Sequence, residues 1–194
     1  MITDISQLDL NKKYSYADYL TWRLDTMVEL IKGKLFITSP APASRHQLIA
    51  SNLHRDISNH FRKHPCQCYF APFDVRLVKE RKEDADTFTV VQPDICVICD
   101  LSKMDERGYA GAPDLIVEII SPSTAKRDLD YKYKLYEENG VKEYWIVFPD
   151  SNAVDQYYLS DEKYERKDVF VNGQIFNSIA FPDLSINLEE IFYS

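Results

Sequence analysis

No run of ~18 or more apolar residues occurs in the sequence, which excludes a membrane-spanning helix. The first residues, "MITDISQLDLNKKYSY", lack the basic start and apolar core of a secretory signal. A cytoplasmic protein with reduced thiols is therefore expected. Internal repeats and low-complexity segments are absent from the 194 residues, a length that suits one domain over 1–194. An excess of positive charge is also missing. The formal net charge is -8, which opposes a strong general attraction to nucleic acid while leaving room for a local basic patch. The two basic stretches, "RLVKERK" and "KRDLDYKYK", read by default as solvated faces. Cysteine is scarce, with four in all. Cys66 and Cys68 form one close pair and Cys96 and Cys99 another. The second pair lies in "DICVICD", a strand-like stretch in which residues three apart point to opposite faces. Zinc sites draw such pairs from turns, so core or surface cysteines are expected here.

What is present is enough apolar residue, 45%, for a sizeable core. "YSYADYLTWR" reads as a short helix capped by Ser15. "MVELIKGKLFITS" reads as a β-hairpin turning at Lys32-Gly33. From Ser44 to Phe61 the apolar period becomes helical, with His46 near the helix start on the buried face. Strands are expected at 73–78, 88–100, 114–121 and 142–150, and a helix that stops at Gly140 links the last two. That strand, helix, strand order is a βαβ crossover with parallel strands. The tail after Asp150 reads as antiparallel strands. The expected architecture is α/β, a mixed central sheet with a β-rich C-terminal elaboration.

Two acids stand where apolar residues belong. Glu118 sits in "LIVEII", a strand apolar on both faces, where an ionised carboxylate costs several kcal/mol unless compensated. Asp94 lies in "VVQPDICVI" after Pro93, and a proline there breaks or bulges the ladder. Two acids on two strands suit a hard cation such as magnesium, which takes a few carboxylates and several waters. Taken singly, each acid reads by default as a strand end reaching water or as an ion pair. On the following helix Ala125, Leu129, Lys132, Tyr133 and Tyr136 fall within about 80° of one another by the helical period. Lys132 is thus expected to point inward and Lys134 outward, with Asp128 four residues before Lys132 to orient its ammonium.

The segments "VELIKGKL", "SPAPASRHQ", "APFDVRL", "VVQPDICVI" and "PDLIVEIISPSTAKRDLDYKYKLYEENGVKEYWIV" resemble the Uma-type bacterial proteins, a restriction-endonuclease-like family of the PD-(D/E)XK nuclease superfamily. The resemblance runs from about Tyr14 to Ile191. It implies a restriction-endonuclease-like mixed β-sheet flanked by helices, and Mg²⁺- or Mn²⁺-dependent hydrolysis of phosphodiester bonds in DNA. Pro93-Asp94 matches the PD element and Glu118 the acidic element. The lysine normally two residues later is replaced by Ile120, and Lys132 matches the position from which this family supplies it. Glu29 and His46 match recurrent family positions, as outer metal-site or water-positioning groups. On this reading Asp94 and Glu118 are the metal ligands, DNA is the substrate, and a homodimer would bring two sites to a duplex. The alternative is a non-catalytic module that keeps the fold to bind nucleic acid or a protein.

Overall fold

Pro93 marks the point where the chain changes sheets. The computed structural model describes residues 2–37, 43–80, 82–121 and 127–193, with the backbone alone at 127 and 128. In it the expected strand 88–100 is two strands belonging to two different sheets. The physical reason is the missing N–H of Pro93, which ends one ladder and lets the next begin after Asp94.

In chain order the strands are β1 (Val28–Ile31), β2 (Lys34–Ile37), β3 (Gln67–Phe70), β4 (Val75–Arg76), β5 (Val90–Val91), β6 (Ile95–Ile98) and β7 (Met104–Asp105). They continue with β8 (Gly108–Ala110), β9 (Leu115–Ile119), β10 (Glu143–Phe148), β11 (Ala153–Ser160), β12 (Lys163–Val171), β13 (Ile175–Asn177) and β14 (Ser185–Asn187). The α-helices are α1 (Tyr16–Tyr19), α2 (Ser44–Phe61), α3 (Tyr133–Asn139) and α4 (Leu188–Phe192). Two compact units emerge. One comprises Met1–Ala41, Asp74–Gln92 and Lys103–Ala112, and the other Pro42–Phe73, Pro93–Ser102 and Pro113–Ser194.

The first unit holds a sheet in the order β2-β1-β5-β4-β8-β7. Its β1–β2 hairpin turns as expected at Lys32 and Gly33, both at positive φ (52° and 82°), the geometry that matches strand twist. Helix α1 carries a capping box: Ser15 accepts the Asp18 N–H and the Asp18 side chain accepts the Ser15 N–H. Tyr14, Tyr16, Trp22, Val28, Leu30 and Val90 form its core. The expected strand 73–78 shortens to β4, and residues 101–113 contribute β7 and β8.

The second unit holds a mixed sheet in the order β12-β11-β10-β9-β6-β3. Strands β9 and β10 are parallel, as the crossover requires, and their neighbours are antiparallel. Alternation sorts the side chains. Ile95, Val97, Leu115, Val117, Trp145 and Val147 join Ile49, Leu53, Ile57 and Phe61 of α2 in one core. Glu118 and Tyr144 turn to the opposite face, where Tyr136 of α3 meets both. This is the α/β, mixed-sheet architecture expected from the sequence.

The cysteines depart from expectation. Cys66 and Cys99 are joined by a disulfide, not reduced. The β3–β6 register, with Gln67 opposite Ile98, brings together one member of each sequence-local pair. Cys68 and Cys96 are free thiols, both held above the usual range by burial, Cys68 at about 11.

Candidate active site

The site grows from the end of the β6–β9 ladder. The last paired residues are Ile95 and Val117, so Asp94 and Glu118 occupy the next opposed positions. Here the backbone ladder stops and the Asp94 side chain takes over: its Oδ2 accepts the Ile119 N–H at 2.7 Å. His46, in the first turn of α2, places Nε2 3.4 Å from the same oxygen. The Asp94 side chain is 20% exposed, and its Oδ1 has no hydrogen-bond donor among the described residues.

Glu118 is nearly sealed, at 3% exposure. Its Oε1 accepts from Lys132 Nζ at 2.8 Å and from the Tyr136 hydroxyl at 2.6 Å. Lys132 itself is 1% exposed, so a buried cation meets a buried anion. Such a pair holds only when charge and hydrogen bonds are satisfied together, which the tyrosine helps to do. The thiol of Cys96 is held far up by burial, then by Cys68 and by Glu118, so it faces the site as a neutral group.

Lys132 does point inward and Lys134 outward, as the helical period predicts. The rest of that inward stripe needs correction. Leu129 is 39% exposed, whereas Leu135, off the expected stripe, is buried. A π-helical turn over Arg127–Lys132 precedes α3 and resets the angular phase. Ala125 and the Asp128 side chain lie outside the described residues.

Glu29 is placed in the other unit, in β1, where it is buried and its Oε1 accepts the Gln92 N–H at 2.8 Å. Sequence reading passed over Tyr136 as a site residue, although it stands four residues after Lys132 on the same stripe. It also passed over Glu143, a second buried acid one strand away.

The chemistry of the donors fits a hard divalent cation held largely by water. Among the described residues no group of three or more His, Cys, Asp or Glu side chains converges as a metal-binding set. Asp94 and Glu118 supply carboxylate oxygens, and Asp94 keeps one of them open. Two carboxylates with several waters is a magnesium-type set, unlike the closed thiolate and imidazole cages of structural zinc.

Residues 16–189 match the model of the Uma2 family, described as "Putative restriction endonuclease". The chain belongs to this family. As a Uma2 protein it is 26% identical over 153 residues to the uncharacterized protein slr1290 of Synechocystis, covering 77% of this chain and 76% of that one. Its fold resembles a crystal structure of a "putative nuclease belonging to DUF820" from Anabaena variabilis. That match has a TM-score of 0.70 at 20% identity and covers 92% of this chain and 97% of the other. The match to the Uma2 model runs from the start of α1 to the first two residues of α4 and so passes through both compact units. Among the described residues no helix is long and apolar enough to cross a membrane.

Proposed function

We propose that this Uma2 protein is a metal-dependent endonuclease that hydrolyses phosphodiester bonds in DNA. The observation that carries the reading is the buried Lys132–Glu118 pair at the end of a strand ladder where Asp94 offers an open carboxylate oxygen. Asp94 and Glu118 would hold Mg²⁺ or Mn²⁺. Such a cation, when bound, supplies positive charge against the scissile phosphate and lowers the pKa of a neighbouring water.

The chain's own residues do the rest. The Ile119 N–H fixes the Asp94 carboxylate, so its open oxygen is aimed before any ligand arrives. The ammonium of Lys132, locked by Glu118 and indirectly by Tyr136, is a preorganised donor for negative charge growing on the phosphate. His46, whose Nε2 lies 3.4 Å from Asp94 Oδ2, would take or give a proton in this reading. Glu29 is assigned no step. Duplex cutting needs two strand scissions, which a homodimer with two such sites would supply.

The test is incubation of the purified protein with plasmid and single-stranded DNA in Mg²⁺ or Mn²⁺, beside Asp94→Ala and Lys132→Ala. Cutting is expected from the unmodified protein alone, and activity that survives both substitutions would overturn the assignment. The net charge of -8 favours a second reading, a binding module that does no chemistry. Calorimetric titration with Mn²⁺ separates the two, since only the nuclease requires binding that Asp94→Ala and Glu118→Ala each weaken.

A further inference from the structure

Tyr69 lies in β3, which among the described residues is the last strand of its sheet. The register sets Tyr69 opposite Cys96, and Cys96 opposite Ile116. Glu118 is two residues past Ile116 on the same strand, so Tyr69 and Glu118 share one face of the sheet. The Tyr69 ring stacks on Phe73, with centroids 4.4 Å apart and planes 15° from parallel. The turn between them is tied to the site: the Ala71 N–H donates to the Asp94 carbonyl at 3.1 Å. The Tyr69 hydroxyl is held in turn by the Gln67 side chain. Both rings are only half-buried, and neither is among the described members of the core packed under α2. Phe70, between them, alternates to the opposite face and meets His54 there.

From this geometry we infer that the Tyr69–Phe73 pair is a stacking platform for an unpaired base, which makes single-stranded or locally opened DNA the substrate of the neighbouring site. The inference rests on the nuclease reading for what the site does, and on the sheet geometry for where the base goes. An aromatic ring fixed at a sheet edge beside phosphate chemistry has a ready ligand in the face of a base, since base–aromatic stacking is strong and tolerant of sequence. A base inside a duplex already has both faces covered and must leave the stack first. The acidic chain also favours stacking over phosphate neutralisation as the source of affinity.

The test is fluorescence titration of an oligo-dT carrying one 2-aminopurine, at fixed salt with EDTA to prevent cutting. The unmodified protein and Tyr69→Phe should bind and quench it alike. Tyr69→Leu and Phe73→Leu, which keep apolar bulk without a ring, should each weaken binding about tenfold or more. Phe70→Leu should change nothing. Thermal melting of each variant establishes that it is folded. Binding by folded Tyr69→Leu equal to that of the unmodified protein overturns the platform, as does failure of the unmodified protein to quench. Parallel digestions in Mn²⁺ keep the two readings apart. Tyr69-dependent quenching without cutting leaves the platform standing and removes the nuclease. Cutting of duplex plasmid without Tyr69-dependent binding does the reverse.

Discussion

Glu118 and Glu143 are both buried acids, on neighbouring parallel strands, and they are satisfied in opposite ways. Glu143 faces the α2 side and is wrapped by neutral donors. Its Oε1 accepts from the Trp145 indole at 2.6 Å and the Gln156 amide at 2.7 Å. Its Oε2 accepts from the Ser178 hydroxyl and the N–H groups of Ile179 and Ala180. That carboxylate ties the β13–β14 segment to the central sheet and has no cation beside it in these bonds. Glu118 faces the other side and meets Lys132 and Tyr136. A carboxylate ringed by amides organises a fold. A carboxylate bonded to a buried lysine, one ladder position from an aspartate with an open oxygen, is the arrangement on which the proposed nuclease reading rests.

Substitutions should separate the two roles, and the largest loss of stability is expected at Glu143. Glu143→Ala strands several buried donors, each costing about 1–3 kcal/mol, so soluble folded protein should fall sharply. Urea denaturation checks this, with Glu143→Gln expected to retain part of the stability. Glu118→Ala comes next, because it breaks the buried ion pair with Lys132 and removes the acceptor of the Tyr136 hydroxyl, at about 3–5 kcal/mol. Combining Glu118→Leu, Lys132→Met and Tyr136→Phe removes these three bonded polar groups at once. Such replacements are often neutral or stabilising, so the triple variant should regain most of the stability and none of the cutting. No comparable rescue is expected around Glu143, where two of the donors are main-chain N–H groups that cannot be mutated away. Gly140→Ala should cost less, about 1 kcal/mol, or about 2–4 °C in melting temperature. Gly140 caps α3 at φ 84°, and an added Cβ would meet no atom within 4 Å, so only the left-handed backbone penalty applies. It lies between Tyr136 and Glu143 in the chain, and a uniform loss without selective loss of cutting would set a baseline for both acids.

Legibility in the sequence followed the range of the interaction. Glu118 was visible because an acid interrupts a strand that is apolar on both sides, and Asp94 because proline precedes it. Glu143 was not, because it opens its strand beside Lys142 and looks like an ordinary strand end. Its partners at 178–180 lie some 35 residues away along the chain. The βαβ unit and the β1–β2 hairpin were legible from local periodicity and turn residues. The division of 88–100 between two sheets was not, since alternation continues across Pro93 as though one strand ran through. The inward direction of Lys132 was legible while the exposure of Leu129 was not, because a π-turn shifts phase without leaving a trace in composition. The Cys66–Cys99 bond depends on the β3–β6 register, which no local pattern encodes.

The smallest stability effect is expected at Asp94, and it is the most telling. Asp94→Asn keeps an oxygen to accept the Ile119 N–H, so the ladder end survives and stability should change by no more than about 0.5 kcal/mol. The substitution removes the negative charge and turns one of the two oxygens into an amide. If the open oxygen exists to hold a cation, Mn²⁺ affinity should drop and cutting should fall roughly a hundredfold or more. Thermal melting and a plasmid-nicking assay on the same preparation measure both. A variant as stable as the unmodified protein, with cutting intact, would put Asp94 with Glu143 among the acids that only build the fold.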